Sequence, residues 1–241
     1  MLPQALLLIP AMAGGSLIQG VCGFGLGIVA TMVLSLYLPV NQAAAVSSLV
    51  CLGLTLPMVL RYRRHLRFRK VLIPLLVYSL AATLIIRVSA GWDSALLKRL
   101  FGAFLLGLSL YYFLLSRRVG GKWGPLLSFA AFAFSGACSG LFAVGGPLMA
   151  LYFLSDADSK EEFLGNTQLL FVLSTVPSFF ARVSSGLLML SHLRYILPSL
   201  VGVAVGFLLA GTLVHRIDKA RLTRLVYAVV GLSGLLYLLG M

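Results

Sequence analysis

Apolar residues run along this chain in long blocks, and polar residues gather in short clusters between them. Six blocks, at about 43–60, 71–90, 95–115, 163–183, 195–214 and 223–240, are bounded by charge, glycine or proline. Each predicts a helix long enough to cross roughly 30 Å of hydrocarbon. Two further blocks, 3–38 and 125–154, fit poorly. At about 1.5 Å per residue they are too long for one perpendicular helix and short for two full ones with a turn. The pattern therefore predicts an all-α polytopic membrane protein with about eight to ten membrane segments.

The two ill-fitting blocks also hold glycine clusters. GVCGFGLGIVA, residues 20–30, carries Gly20, Gly23, Gly25 and Gly27, although glycine inside a helix costs roughly 1 kcal/mol against alanine. GACSGLFAVGG, residues 136–146, repeats the pattern with Gly140, Gly145 and Gly146. Other stretches align in the same order: LKRLFGAFLLGLSLYYFLL (97–115) lies over LTRLVYAVVGLSGLLYLLG (222–240), and HLRFRKVLIPLLV (65–77) over SHLRYILPSLVGV (191–203). The chain thus divides into a first repeat at 1–116, a linker at 117–124 and a second repeat at 125–241.

Charge orients the halves. Basic residues cluster at 61–70, 117–122 and 216–224. If each glycine block is a hairpin returning to its own side, the second half is inverted, with 14 basic residues inside and five outside. If each is a single span, the halves are parallel and the split is 11 to eight. The positive-inside rule favours inversion, with the 61–70, 116–124 and 215–224 loops cytoplasmic. Inverted repeats with broken helices are an architecture of secondary transporters, whose sites lie at the repeat interface.

Composition agrees: 60% of residues are hydrophobic and 10% charged, too little polar surface to cover a soluble globule. The N-terminus lacks a basic n-region and continues into apolar chain, so it reads as mature structure rather than a secretory signal. The net charge of +13 lies in loops beside spans and does not point to nucleic acid. Cys22, Cys51 and Cys138 sit in apolar segments with no CxxC pair, so neither a disulfide framework nor a metal site is expected. No nucleophile with base and no HExxH pair occurs, which argues against an enzyme, and no cofactor is implied. Trp92 and Trp123 mark span ends, and His65, His192 and His215 sit at loop edges.

IQGVCGFGLGIVA (18–30), then SGLFAVGGPLMALYF (139–153) with LGNTQ (164–168), resembles the TauE/SafE family of sulfite and organosulfonate exporters. The resemblance implies a multi-span permease of the bacterial inner membrane that moves small sulfur oxyanions, sulfonates or related organic anions, without choosing among them. The second motif departs from the family pattern at Ala143, where glycine is usual, and at Pro147, which closes the cluster.

The absence of Asp and Glu from the spans speaks against a buried proton relay or a cation site. An anion needs donors, so the candidate substrate-binding residues are Gln19, Gly20, Gly23, Phe24, Gly25, Gly27, Ser47, Ser48, Gly140, Gly145, Gly146, Asn166, Thr167 and Gln168. Two plainer roles compete: hydrogen-bonding between helices for the polar residues, and close helix packing for the glycines. Arg87 and Arg182, near span ends, read as snorkelling anchors, with attraction of anions to an entrance as the alternative. The partners expected are a small anion and the bilayer, with room left for a homodimer. The function expected is export by alternating access, with uptake or a passive anion channel as alternatives.

Overall fold

The computed structural model describes residues 2–115, 123–213 and 219–239. The expected linker at 117–124 lies outside these residues except for its last two, as do His215 and Arg216 of the basic 215–224 loop, whose other basic residues, Lys219, Arg221 and Arg224, fall in α10. The described residues form ten α-helices and no strand. They are α1 (Leu2–Cys22), α2 (Leu26–Leu34), α3 (Val40–Tyr62), α4 (Phe68–Ser89) and α5 (Ser94–Leu115), then α6 (Pro125–Phe142), α7 (Gly146–Asp156), α8 (Lys160–Ser184), α9 (Leu193–Leu213) and α10 (Lys219–Leu238).

The six simple blocks each become one helix. Among the described residues six helices are long and apolar enough to cross a membrane, α3, α4, α5, α6, α8 and α9, whereas the apolar stretch described in α10, Ala228–Leu238, is shorter than the span expected at 223–240. The two ill-fitting blocks each become a long helix followed by a short one. α2 has nine residues and α7 has 11, so each rises only about 14–16 Å, half of a hydrocarbon core.

Local chemistry sets the boundaries. Ser159 caps α8 by accepting from the Glu162 N–H at 3.1 Å, and Glu161 and Glu162 stand in its first turn, where carboxylates suit the helix dipole. Asp93 caps α5 through the N–H groups of Ala95 and Leu96. α1 stops where Gly23 takes φ 82° and Gly25 φ 132°, conformations closed to most L side chains. α6 stops at Ala143, which takes the left-handed φ of 56° without being glycine. That geometry costs a non-glycine residue about 1–2 kcal/mol, part of which glycine would lose again through the unfolded chain. Ala143→Gly is therefore expected to stabilise the protein by up to about 1 kcal/mol, read as a rise in apparent Tm in detergent.

The halves interlock. α1 packs along α9 and α4 along α6, while α5 pairs with α10 and α3 with α8. Ser16 on α1 donates to the Val203 carbonyl of α9 at 3.0 Å. Leu72, Leu76, Leu80 and Leu84 form an exposed stripe down α4, the face such a helix turns to lipid. At one end Lys70 reaches Glu162 at 2.9 Å and Asp156 at 3.6 Å, tying the start of α4 to the α7–α8 connection.

Candidate functional site

The two helix breaks meet. Thr31 of α2 donates to the Phe142 carbonyl at the end of α6, at 2.7 Å. A Cβ on Gly27 would stand 2.4 Å from the Ala143 carbonyl oxygen, and one on Gly146 would stand 2.5 Å from Cβ of Phe24. Glycine at both places lets one broken segment lie directly on the other. Between them a cavity leaves about 60 Å³ for the centre of a water-sized sphere. One water needs roughly 10–15 Å³ by that measure, so the space suits a few waters or one small oxyanion.

Five helices complete the wall. α3 contributes Ser48, Cys51 and Thr55, α4 contributes Tyr78, α6 contributes Ser139, and α8 contributes Phe171, Ser174 and Thr175. The loops add Phe24, Gly25, Val144 and Gly145, and α1 adds Gln19. No carboxylate is among the described lining residues.

The polarity of the wall follows from where the helices start. α2 and α7 both begin at the cavity, with Gly25 and Gly145 as N-caps and no side chain capping either. The first-turn N–H groups of a helix have no acceptor inside it and carry its positive dipole end. At α2 one of them is occupied: the Leu26 N–H donates to Gln19 Oε1 at 3.1 Å. Gln19 Nε2 donates to Gln168 Oε1 at 3.0 Å, and Gln168 Nε2 donates to the Gly23 carbonyl at 2.7 Å. This buried chain of amides fixes the first break against α8.

Several lining hydroxyls point their protons back into the helix. Ser48 donates to the Ala45 carbonyl, and both Ser174 and Thr175 to the Phe171 carbonyl. Thr55 is different, for its buried hydroxyl has no protein partner. An unsatisfied buried hydroxyl costs roughly 1–3 kcal/mol, so removing it is close to neutral for folding. Thr55→Val is expected to leave Tm unchanged or slightly raised while weakening the binding of an anion in this cavity about ten- to a hundredfold, the worth of one charge-assisted hydrogen bond.

A family model described as sulfite exporter TauE/SafE matches residues 7–237. The chain belongs to this family. It is accordingly a multi-pass protein of a family of membrane transporters. No curated protein and no solved structure matches it.

On this TauE/SafE chain the candidate residues separate into two groups. Gln19, Phe24, Gly25, Gly27, Ser48, Gly145 and Gly146 line the cavity. Gly23 and Gln168 stand behind it, joined to it through Gln19. Ser47 donates to the Gly27 carbonyl at 3.3 Å and so holds α3 to α2. Asn166 and Thr167 are not brought to the cavity. Asn166 Oδ1 accepts from the Arg67 N–H at 2.9 Å, and Thr167 donates to the Phe163 carbonyl of its own helix. Gly20 packs against Ala210, and Gly140 against Ala82 and Ile85 of α4, the close-packing role of small residues in membrane helices.

Five hydroxyl-bearing lining residues, Thr55, Tyr78, Ser139, Ser174 and Thr175, were not singled out from sequence. Thr55 lies seven residues beyond Ser48 on α3, and Ser174 and Thr175 lie seven and eight beyond Thr167 on α8. Two helical turns keep such residues on one face, so their periodicity was a usable signal. Tyr78 had none, because the packing of α4 on α6 alone carries it to the break. One expectation is corrected outright: Arg182 is no snorkelling anchor, being 2% exposed. Arg87 is exposed on α4, as an anchor would be.

Proposed function

We propose that this protein is a secondary carrier that exports small sulfur oxyanions, sulfite or organosulfonates, across a bacterial inner membrane. One observation carries the reading: two helix N-termini, one from each half and with glycine as N-cap, open on a single small cavity that no described carboxylate lines. Helix N-termini favour anions without any basic side chain.

The proposed architecture is a pair of inverted repeats, 1–116 and 125–241. Helix pairing supports the repeat, because exchanging the halves turns α1 on α9 into α6 on α4 and returns α3 on α8 and α5 on α10 to themselves, while the inversion rests on the distribution of basic residues. One half would rock against the other around the cavity, exposing it to either side in turn. With the 61–70 loop cytoplasmic, the membrane potential drives an anion outward, by about 2.3 kcal/mol per charge at 100 mV. Export then requires no carboxylate relay.

Purified protein in liposomes, loaded with radiolabelled sulfite or methanesulfonate, tests this directly. Saturable efflux with accelerated counterflow is the expected result. Conductance that rises linearly with concentration, without counterflow, would make the protein a channel, and absence of flux for every sulfur anion tried would defeat the substrate assignment.

A further inference from the structure

Arg182, near the end of α8, is among the largest fully buried side chains of the protein. Its Nη2 donates to the carbonyls of Ser139 and Gly140, at 3.1 and 3.0 Å, in the last turn of α6. Its Nε is buried without a hydrogen-bond partner among the described residues. Among the described residues no carboxylate forms an ion pair with it, since all four ion pairs involve Lys70 or Arg67. An ionised group taken out of water is costly unless another charge compensates it, and guanidinium does not shed its proton to escape. Two carbonyl dipoles offset part of the charge but leave it net positive.

The same turn borders the cavity, although Arg182 itself is not among the residues that line it. Ser139 lines it, and so does Tyr78, whose hydroxyl meets the Ser139 side chain and which lies within electrostatic range of the guanidinium. The last turn of α6 would otherwise present its negative dipole end to this space. Arg182 engages two of those carbonyls and sets a positive charge beside them.

We propose that the transported anion is the missing counter-ion of Arg182, so that the carrier selects solutes bearing a single negative charge. This rests on the transport reading above and narrows its substrate class to monoanionic oxyanions, such as sulfonates and hydrogensulfite. Arg182 acts through the α6 turn and is a positioning and selectivity residue. A monoanion neutralises the buried charge, whereas a dianion replaces one uncompensated charge by another of opposite sign.

Three ligands of similar shape and different charge test this: methanesulfonate, sulfate and neutral dimethyl sulfone. Ligand-induced Tm shifts and radiolabelled uptake into liposomes are measured for wild type, Arg182→Lys and Arg182→Gln. Wild type is expected to bind methanesulfonate at least tenfold more tightly than sulfate, with the sulfone weakest. Arg182→Lys should keep that order at reduced affinity. Arg182→Gln should lose methanesulfonate affinity at least fiftyfold while its affinity for the sulfone is unchanged, whereas a purely structural role would move all three ligands together. Unchanged methanesulfonate affinity in a folded Arg182→Gln protein overturns the assignment. If that variant does not fold, the wild-type series still decides, because sulfate binding as tightly as methanesulfonate also overturns it. Binding in the expected order without uptake would instead defeat the transport reading and leave the role of Arg182 standing.

Discussion

Adding one methyl group at Gly27 is expected to abolish transport. Gly27 lies in the first turn of α2 with an ordinary helical conformation, so alanine suits the local backbone and improves helix propensity by about 1 kcal/mol. The cost is entirely tertiary. The new Cβ would stand 2.4 Å from the Ala143 carbonyl oxygen, where carbon and oxygen normally keep about 3.3–3.6 Å. That oxygen belongs to backbone and cannot rotate aside, so the two breaks must separate by about 1 Å. Displacements of that size cost on the order of a hundredfold where reacting or binding groups must converge. Gly27→Ala should therefore keep its helical circular dichroism and lose sulfite flux in liposomes by about fiftyfold or more. Flux within twofold of wild type would mean that the contact between the breaks plays no part in transport.

The second large effect is expected at the buried amides. Gln19→Ala deprives the Leu26 N–H and Gln168 Oε1 of their partners, and Gln168→Ala does the same to the Gly23 carbonyl and Gln19 Nε2. Each orphaned buried group costs about 1–3 kcal/mol, so either variant should lose roughly 2–5 kcal/mol and most of its activity. The double variant should cost clearly less than the sum, because the bond between the two amides can be lost only once. A coupling of about 1–3 kcal/mol is expected in the cycle, measured by reversible denaturation in mixed micelles. Strict additivity would show that the two glutamines do not act as one network.

The breaks themselves were legible along the chain, because only a helix that must be interrupted carries glycine at 23, 25 and 27 against its propensity. Their meeting was not. Gly27 and Ala143 are far apart in sequence, and nothing in either segment names the other. Asn166 illustrates the same limit from the opposite side. It stands in a polar run beside an apolar span, as a binding residue would, yet the helical phase of α8 turns it to the Arg67 backbone. Gln168, two residues on, reaches the break. Arg182 was misread because a basic residue near a span end usually snorkels. Here α6 covers it and offers two carbonyls.

Sequence alone determined the solvent, the helices and the places where they break. Apolar block length fixes what can cross a bilayer, and glycine content fixes where a helix cannot continue, both being local properties of a chain whose backbone must satisfy itself. The tertiary structure decided which breaks touch, which hydroxyls reach the cavity and which charge is buried beside it. Those outcomes depend on helix rotation and on packing between segments 42 to 111 residues apart, within and between the halves, which no local pattern encodes.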